Sequence, residues 1–206
     1  MEPQRSFLES GRVSFYSGVL VAIAFVIFAS SHFVGFQRTG EWTLLLFCFS
    51  EALTAVFIFF RSSPETVSAD RLDWIVGTVG TFAPLLLRPA PWGIAPWAKY
   101  AIIAGVMIQV AGLISLNRSI AIVAAKREIK TKGMYRLVRH PLYASYLVTF
   151  SGYVLMNSSI QNLVLYVLTI TLLFLRCYKE ETHLVTDPSY AEYMQKVNYR
   201  IIPFIY

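Results

Sequence analysis

The stretch HPLYASYLVTFSGYVLMNSSIQNLVLYVLTITLLFL, residues 140–175, runs for 36 residues without Asp, Glu, Lys or Arg. As a single helix at about 1.5 Å per residue it would be about 54 Å long, well beyond a hydrocarbon core of about 30 Å. It must therefore fold back on itself. Asn157, Ser158 and Ser159 mark the break. Residues 142–156 and 160–175 then read as two antiparallel helices, a C-terminal hairpin with both ends on one side of a membrane.

The rest of the chain agrees with a membrane setting. Of 206 residues, 56% are hydrophobic and only 15% are charged, against about 25% charged in soluble domains. Upstream, residues 13–37 form 25 uncharged residues between Arg12 and Arg38, long enough to span. This run continues through Phe33 and Phe36 and further apolar segments follow, which outweighs a cleaved-leader reading. Trp42–Phe60, interrupted by Glu51, is a second segment. Trp74–Leu87 is a short third one, and Tyr100–Asn117 a fourth. Between these last two, Pro89, Pro91 and Pro96 with Trp92 and Trp97 cannot continue a helix and have the aromatic content of an interface. The fold class is thus an all-α polytopic bundle of about six hydrophobic segments. Residues 1–116 are N-terminal transmembrane helices, and residues 117–206 form a second unit of basic loop, helical hairpin and cytoplasmic tail. No internal repeat is evident.

Loop charges orient the bundle. Of the 18 Lys and Arg residues, 15 fall in the N-terminus, the 61–73 loop, the 117–141 loop and the C-terminal tail, and only Arg38, Arg88 and Lys99 lie on the other side. By the positive-inside rule both termini are cytoplasmic. The net charge of +6 is therefore mainly an orientation signal, and no nucleic-acid motif accompanies it. Cys48 and Cys177 form no disulfide framework and, with three histidines in the chain, no metal-ligand spacing, so no metal is expected.

Two cytoplasmic segments depart from an inert bundle. In the first, residues 130–143, Pro141 suits the first position of a helix with His140 as its cap. The open amides there, with Arg136 and Arg139 nearby, favour an anionic group; basic anchoring of the membrane edge is the plainer reading. In the second, Arg176 and Glu180 share a helix face. An ordinary salt bridge at the membrane exit competes with a site in which the Glu180 carboxylate and the aromatic faces of Tyr135 and Tyr143 receive a cation such as a sulfonium. Glu51, mid-span, is costly unless it has a function or a partner; Gln109 and Ser50 are the candidate partners. His32 and His183 read as structural.

Taken together, Gly133-x-Tyr135-x-x-x-Arg139-His140-Pro141-x-Tyr143, the hairpin, Arg176-x-x-x-Glu180-Glu181, and a terminal Tyr190-x-x-Tyr193 with Pro203 resemble the isoprenylcysteine carboxyl methyltransferase family and its phospholipid N-methyltransferase relatives. The similarity covers residues 117–206, and Asn117–Ser119 with residues 124–132 look most like bacterial members, which implies a bacterial inner membrane. The resemblance implies an S-adenosylmethionine pocket facing the cytoplasm, with an entrance for a lipophilic acceptor from the bilayer. By position, Arg127, Ile129, Lys130, Tyr135, His140, Pro141, Leu142, Tyr143 and Glu180 would bind the cofactor. Arg176 would face the acceptor, and Arg176 with Glu180 would be catalytic.

Methyl transfer mainly requires alignment and exclusion of water. A carboxylate acceptor needs no base and could be held by an Arg176 fork, whereas an amine must lose a proton to His140 or Glu181. This favours an isoprenylcysteine-like carboxylate or a thiol over a phosphatidylethanolamine-type amine. An NADPH-dependent membrane lipid reductase of related fold and a non-catalytic scaffold are the other function classes.

Overall fold

The computed structural model describes residues 11–62, 64, 66–120, 122, 123, 125, 126 and 128–205. Within them the chain forms seven α-helices: α1 (Gly11–Thr39), α2 (Thr43–Phe59), α3 (Arg71–Phe82), α4 (Lys99–Leu116), α5 (Pro141–Met156), α6 (Ile160–Leu184) and α7 (Pro188–Lys196). Two two-residue strands, β1 (Thr66–Val67) and β2 (Ala125–Lys126), pair antiparallel with Thr66 opposite Lys126 and Val67 opposite Ala125. The helical class holds. The ribbon is the addition, and strands of two residues leave no alternation in the sequence to read.

Three helices are long and apolar enough to cross a membrane, over Gly18–Thr39, Pro96–Leu116 and Ile160–Leu184. The six-segment count goes beyond this. Helix α2 has 17 residues and α5 has 16, while α3 has 12 before tightening into a 3-10 turn at Ala83–Leu86. Leu20 and Ile27 on α1, Met107 and Ile114 on α4, and Ile160 and Val164 on α6 are exposed, as a lipid-facing surface requires.

The hairpin turns at Asn157–Ser159 as expected, but its second helix is longer than the apolar run. It continues beyond Leu175 to Leu184, because Arg176, Lys179, Glu180 and Glu181 are good helix formers that carry it past the apolar layer. The hairpin break is clamped by the proline-rich loop. The Asn162 side chain accepts from Arg88 N (3.1 Å) and donates to Arg88 O (2.8 Å), and Asn157 Oδ1 accepts from Ala90 N (3.0 Å).

Helix α5 packs closely along α4, and glycines on both helices hold the pair in van der Waals contact. A Cβ on Gly105 would lie 2.0 Å from Thr149 Oγ1, and one on Gly152 would lie 2.9 Å from Ala98 O and 3.0 Å from Ile102. Both glycines allow the backbones to approach. On the other side, α1 and α2 share a core of Phe25, Phe28, Leu44, Phe47 and Ile58. His32 is fully buried within it, hydrogen-bonded with Tyr153 Oη (3.0 Å) and Phe28 O (3.3 Å), and stacked on Phe47. The His183 ring, partly exposed, is hydrogen-bonded with Thr66 Oγ1 at 3.3 Å. Both histidines fit the structural reading.

Candidate functional site

The Gly133-to-Tyr143 motif turns the chain from a loop into α5. Gly133 has φ +62°, and a Cβ there would sit 2.3 Å from Ser115 Oγ, so glycine is needed for both conformation and space. Ser115 Oγ in turn accepts from Met134 N at 3.2 Å. Pro141 occupies the first turn of α5 with His140 at the cap, where a missing amide hydrogen costs nothing.

Arg139 does not face an anion-binding helix start. Its Nε and Nη2 donate to Glu181 Oε1 and Oε2 (2.6 and 3.2 Å), and Nη1 donates to Val197 O and Asn198 O (2.7 and 2.9 Å). Arg200 Nε reaches Glu181 Oε2 at 2.8 Å, and His140 Nε2 lies 3.0 Å from Oε1. Arg139 N and His140 N donate to Tyr199 O and Arg200 O. The arginine thus fastens the C-terminal tail beneath the site. Burial opposes a charge on His140, but hydrogen bonds with Cys177 and Glu181 outweigh it and raise its pKa to about 10.

His140, Cys177 and Glu181 offer three ligand-type atoms within 4.8 Å of one another, a grouping that spacing along the chain does not reveal. Two guanidinium groups already occupy the Glu181 carboxylate. Their positive charge opposes a divalent ion there.

Above this hub, Tyr143 Oη donates to Glu180 Oε2 at 2.6 Å, the His140 and Tyr143 rings stack at 5.2 Å, and the Arg176 guanidinium lies 5.6 Å from the Tyr143 ring centre. Arg176 Nη1 also donates to Thr81 Oγ1 at 3.0 Å. These groups line one cavity. Its wall includes Ile129, Lys130, Tyr135, His140, Leu142, Tyr143, Arg176 and Glu180. Pro141 is buried beneath the wall and does not line it; its part is to start the helix. Arg127 lies outside the described residues.

On α6 the wall is the stripe Thr169, Leu173, Arg176, Glu180 and Leu184, spaced at three and four residues, which is one helical face. This stripe spans about 22 Å at about 1.5 Å per residue. From α5 come Tyr143, Tyr146 and Phe150; from α2, Glu51, Thr54 and Ile58. The cavity therefore leads from a polar mouth at Glu180 to a mostly apolar interior between helices, in which Glu51, Thr54 and Thr169 are the polar groups.

A sequence model of the phospholipid methyltransferase family matches residues 96–191. This segment, somewhat under half of the chain, is a phospholipid methyltransferase domain by that match. No curated protein matches the chain significantly. The family segment starts at Pro96 and so takes in α4, whose close packing with α5 frames the cavity, along with α5, α6 and the start of α7.

Within the family segment, the reading of motifs alone passes over several wall residues. Tyr146 and Thr169 were legible as neighbours of Tyr143 and Arg176 on their helix faces. Thr81, on α3 outside the segment, carries no such signal, because its place beside Arg176 depends on how α3 packs against α6. Tyr190 and Tyr193 line the mouth, and Tyr193 Oη donates to Tyr135 O at 2.7 Å. Lys126 pairs with Asp187 at 2.7 Å. That pair holds the Asp187 carboxyl below its usual range and ties β2 to the start of α7.

Proposed function

We propose that this chain is an S-adenosylmethionine-dependent integral membrane methyltransferase that acts on a lipophilic acceptor. The observation that carries the reading is the continuous cavity from the Glu180–Tyr143 pair to the apolar interior. It offers a polar donor site and a greasy acceptor site within one space, as methyl transfer to a lipid requires.

The chemistry of the wall fits the cofactor. The Glu180 carboxylate, with the Tyr135 and Tyr143 rings beside it, favours a sulfonium cation, and Ile129, Lys130, His140 and Leu142 complete the proposed binding set, with Arg127 added from the family resemblance. Bound there, the cofactor supplies an electrophilic methyl group. Tyr143 holds Glu180 in place through its hydroxyl, and Arg176 orients an anionic acceptor. Leu142, Leu173 and Phe150 keep water from the apolar side.

For the acceptor, a carboxylate or thiol of the isoprenylcysteine type is the first reading. Glu181, one of two candidate bases for an amine, is taken up by Arg139, Arg200 and His140 and lies outside the cavity wall. A phospholipid amine is the second reading, favoured by the family description. The proposed topology has six segments with both termini cytoplasmic, as the 15-to-3 distribution of basic residues supports.

Calorimetry on purified protein with S-adenosylhomocysteine and NADPH tests the reaction class. Binding of S-adenosylhomocysteine is expected, and Glu180→Gln should weaken binding of S-adenosylmethionine, which carries the sulfonium, while the protein stays folded. Binding of NADPH alone would replace this reading with a reductase. Labelled methyl donor added to membrane extracts, followed by mass spectrometry, then identifies the acceptor; label in phosphatidylethanolamine alone would move the assignment to the amine.

A further inference from the structure

Glu51 is 6% exposed, and its Oε2 has no hydrogen-bond partner among the described residues. The partners expected from the sequence are engaged with each other. Ser50 Oγ donates to Gln109 Oε1 at 2.5 Å, and Gln109 Nε2 donates to Thr54 Oγ1 at 2.8 Å. A helix-linking role for Glu51 would need one of them. Thr169, 2% exposed, likewise has an Oγ1 without a partner. Both residues line the same cavity as Arg176 and Glu180. Leaving such groups unsatisfied within a membrane costs several kcal/mol, so an apolar side chain would be the better choice at either position if the inner cavity received hydrocarbon alone.

We infer that the inner end of the cavity recognises a hydrogen-bond donor, a hydroxyl or an amine, carried within the apolar part of the acceptor. Glu51 accepts from that group, and Thr169 offers a second hydrogen bond. The inference rests on the methyltransferase reading and narrows its substrate class. Thr169 precedes Arg176 by seven residues on one helix face, about 10 Å along the axis. An acceptor that reaches from Arg176 to the level of Thr169 therefore carries two polar points about 10 Å apart along α6. The outer one meets Arg176 and takes the methyl group; the inner one meets Thr169, with Glu51 as its acceptor on the facing α2. Plain isoprenoid or acyl chains satisfy only the first.

The test uses full-length protein in phosphatidylcholine nanodiscs and three probes of equal chain length: decanoate, 10-hydroxydecanoate and 10-aminodecanoate. The carboxylate of each addresses Arg176, and only the last two carry a donor that can reach Glu51. Wild type should bind at least one of these two about tenfold more tightly than decanoate, the effect of one hydrogen bond to a buried carboxyl. Preference for the amine identifies a charged donor, and preference for the alcohol a neutral one. Glu51→Leu should remove the discrimination, Glu51→Gln should keep part of it, and Thr169→Val should reduce it with Glu51 intact.

Equal affinity of wild type for all three probes, including no measurable affinity for any, overturns the inference. So does discrimination that survives Glu51→Leu. S-adenosylhomocysteine binding, measured on the same samples, reports separately on the methyltransferase reading, so the two failures are distinguishable.

Discussion

Arg139 and Glu181 stand 42 residues apart in sequence and meet in a two-pronged ion pair, with side chains 6% and 5% exposed. The pair closes the hairpin onto the loop before it, and Arg139 also holds the tail through Val197 O and Asn198 O. Removing one partner leaves a buried charge uncompensated, which costs about 3–5 kcal/mol. Glu181→Gln should therefore lower stability by about that amount in a thermal unfolding measurement. Arg139→Lys keeps the charge and loses the fork, so its loss should be smaller but clear. Unchanged melting in both variants would refute the structural role.

Glu180 sets a different expectation, because it faces the cavity and accepts only from Tyr143 among the contacts above. Tyr143→Phe removes that hydrogen bond and retains the ring. The proposed cofactor site should then weaken by about threefold to tenfold in affinity for S-adenosylmethionine, the form that carries the sulfonium, with little change in melting temperature. Glu180→Gln should weaken it further, since the carboxylate charge is lost as well. A Tyr143→Phe protein with unaltered affinity would place the sulfonium away from Glu180.

The contrast between Glu180 and Glu181 shows what the sequence makes legible. The turn at Asn157–Ser159, the cap at His140–Pro141 and the shared face of Arg176 and Glu180 all follow from local periodicity and backbone chemistry, which act over a few residues. Neighbouring glutamates on a helix point about 100° apart, so one faces the cavity and the other the tail. Which does which depends on where Arg139 and Arg200 arrive. The same limit applies to Glu51. Its cost in a membrane is visible from sequence, but the mutual pairing of Ser50 and Gln109 appears only once α2 and α4 are packed.

His140 predicts a pH dependence. Its pKa is raised from an ordinary 6.5 to about 10 in the folded protein. A raised value means that its charged form stabilises the fold. That contribution is complete below about pH 6.5 and is lost as the pH rises through about 10. The melting temperature of wild type should fall more steeply between these limits than that of His140→Gln. Measuring the difference between the two proteins cancels the titration of other groups, and parallel curves would contradict the assignment.

The α4–α5 contact can be tested by comparing two glycines. A Cβ on Gly105 would come within 2.0 Å of Thr149 Oγ1 and 2.8 Å of Thr149 N. A hydroxyl can rotate away, but a backbone nitrogen cannot move unless α5 moves. Gly105→Ala should then destabilise by about 1–3 kcal/mol, the range for overpacking. Gly18 on α1 is the control, because the nearest atom to its added Cβ is Ile58 O at 3.7 Å, an ordinary contact. Gly18→Ala should be neutral, or stabilising by up to about 1 kcal/mol through helix propensity. Since α5 carries Tyr143 and Tyr146 into the cavity wall, Gly105→Ala should also weaken S-adenosylhomocysteine binding, and Gly18→Ala should not. Equal behaviour of the two variants in denaturation and binding would mean that close packing at this crossing does not position the site.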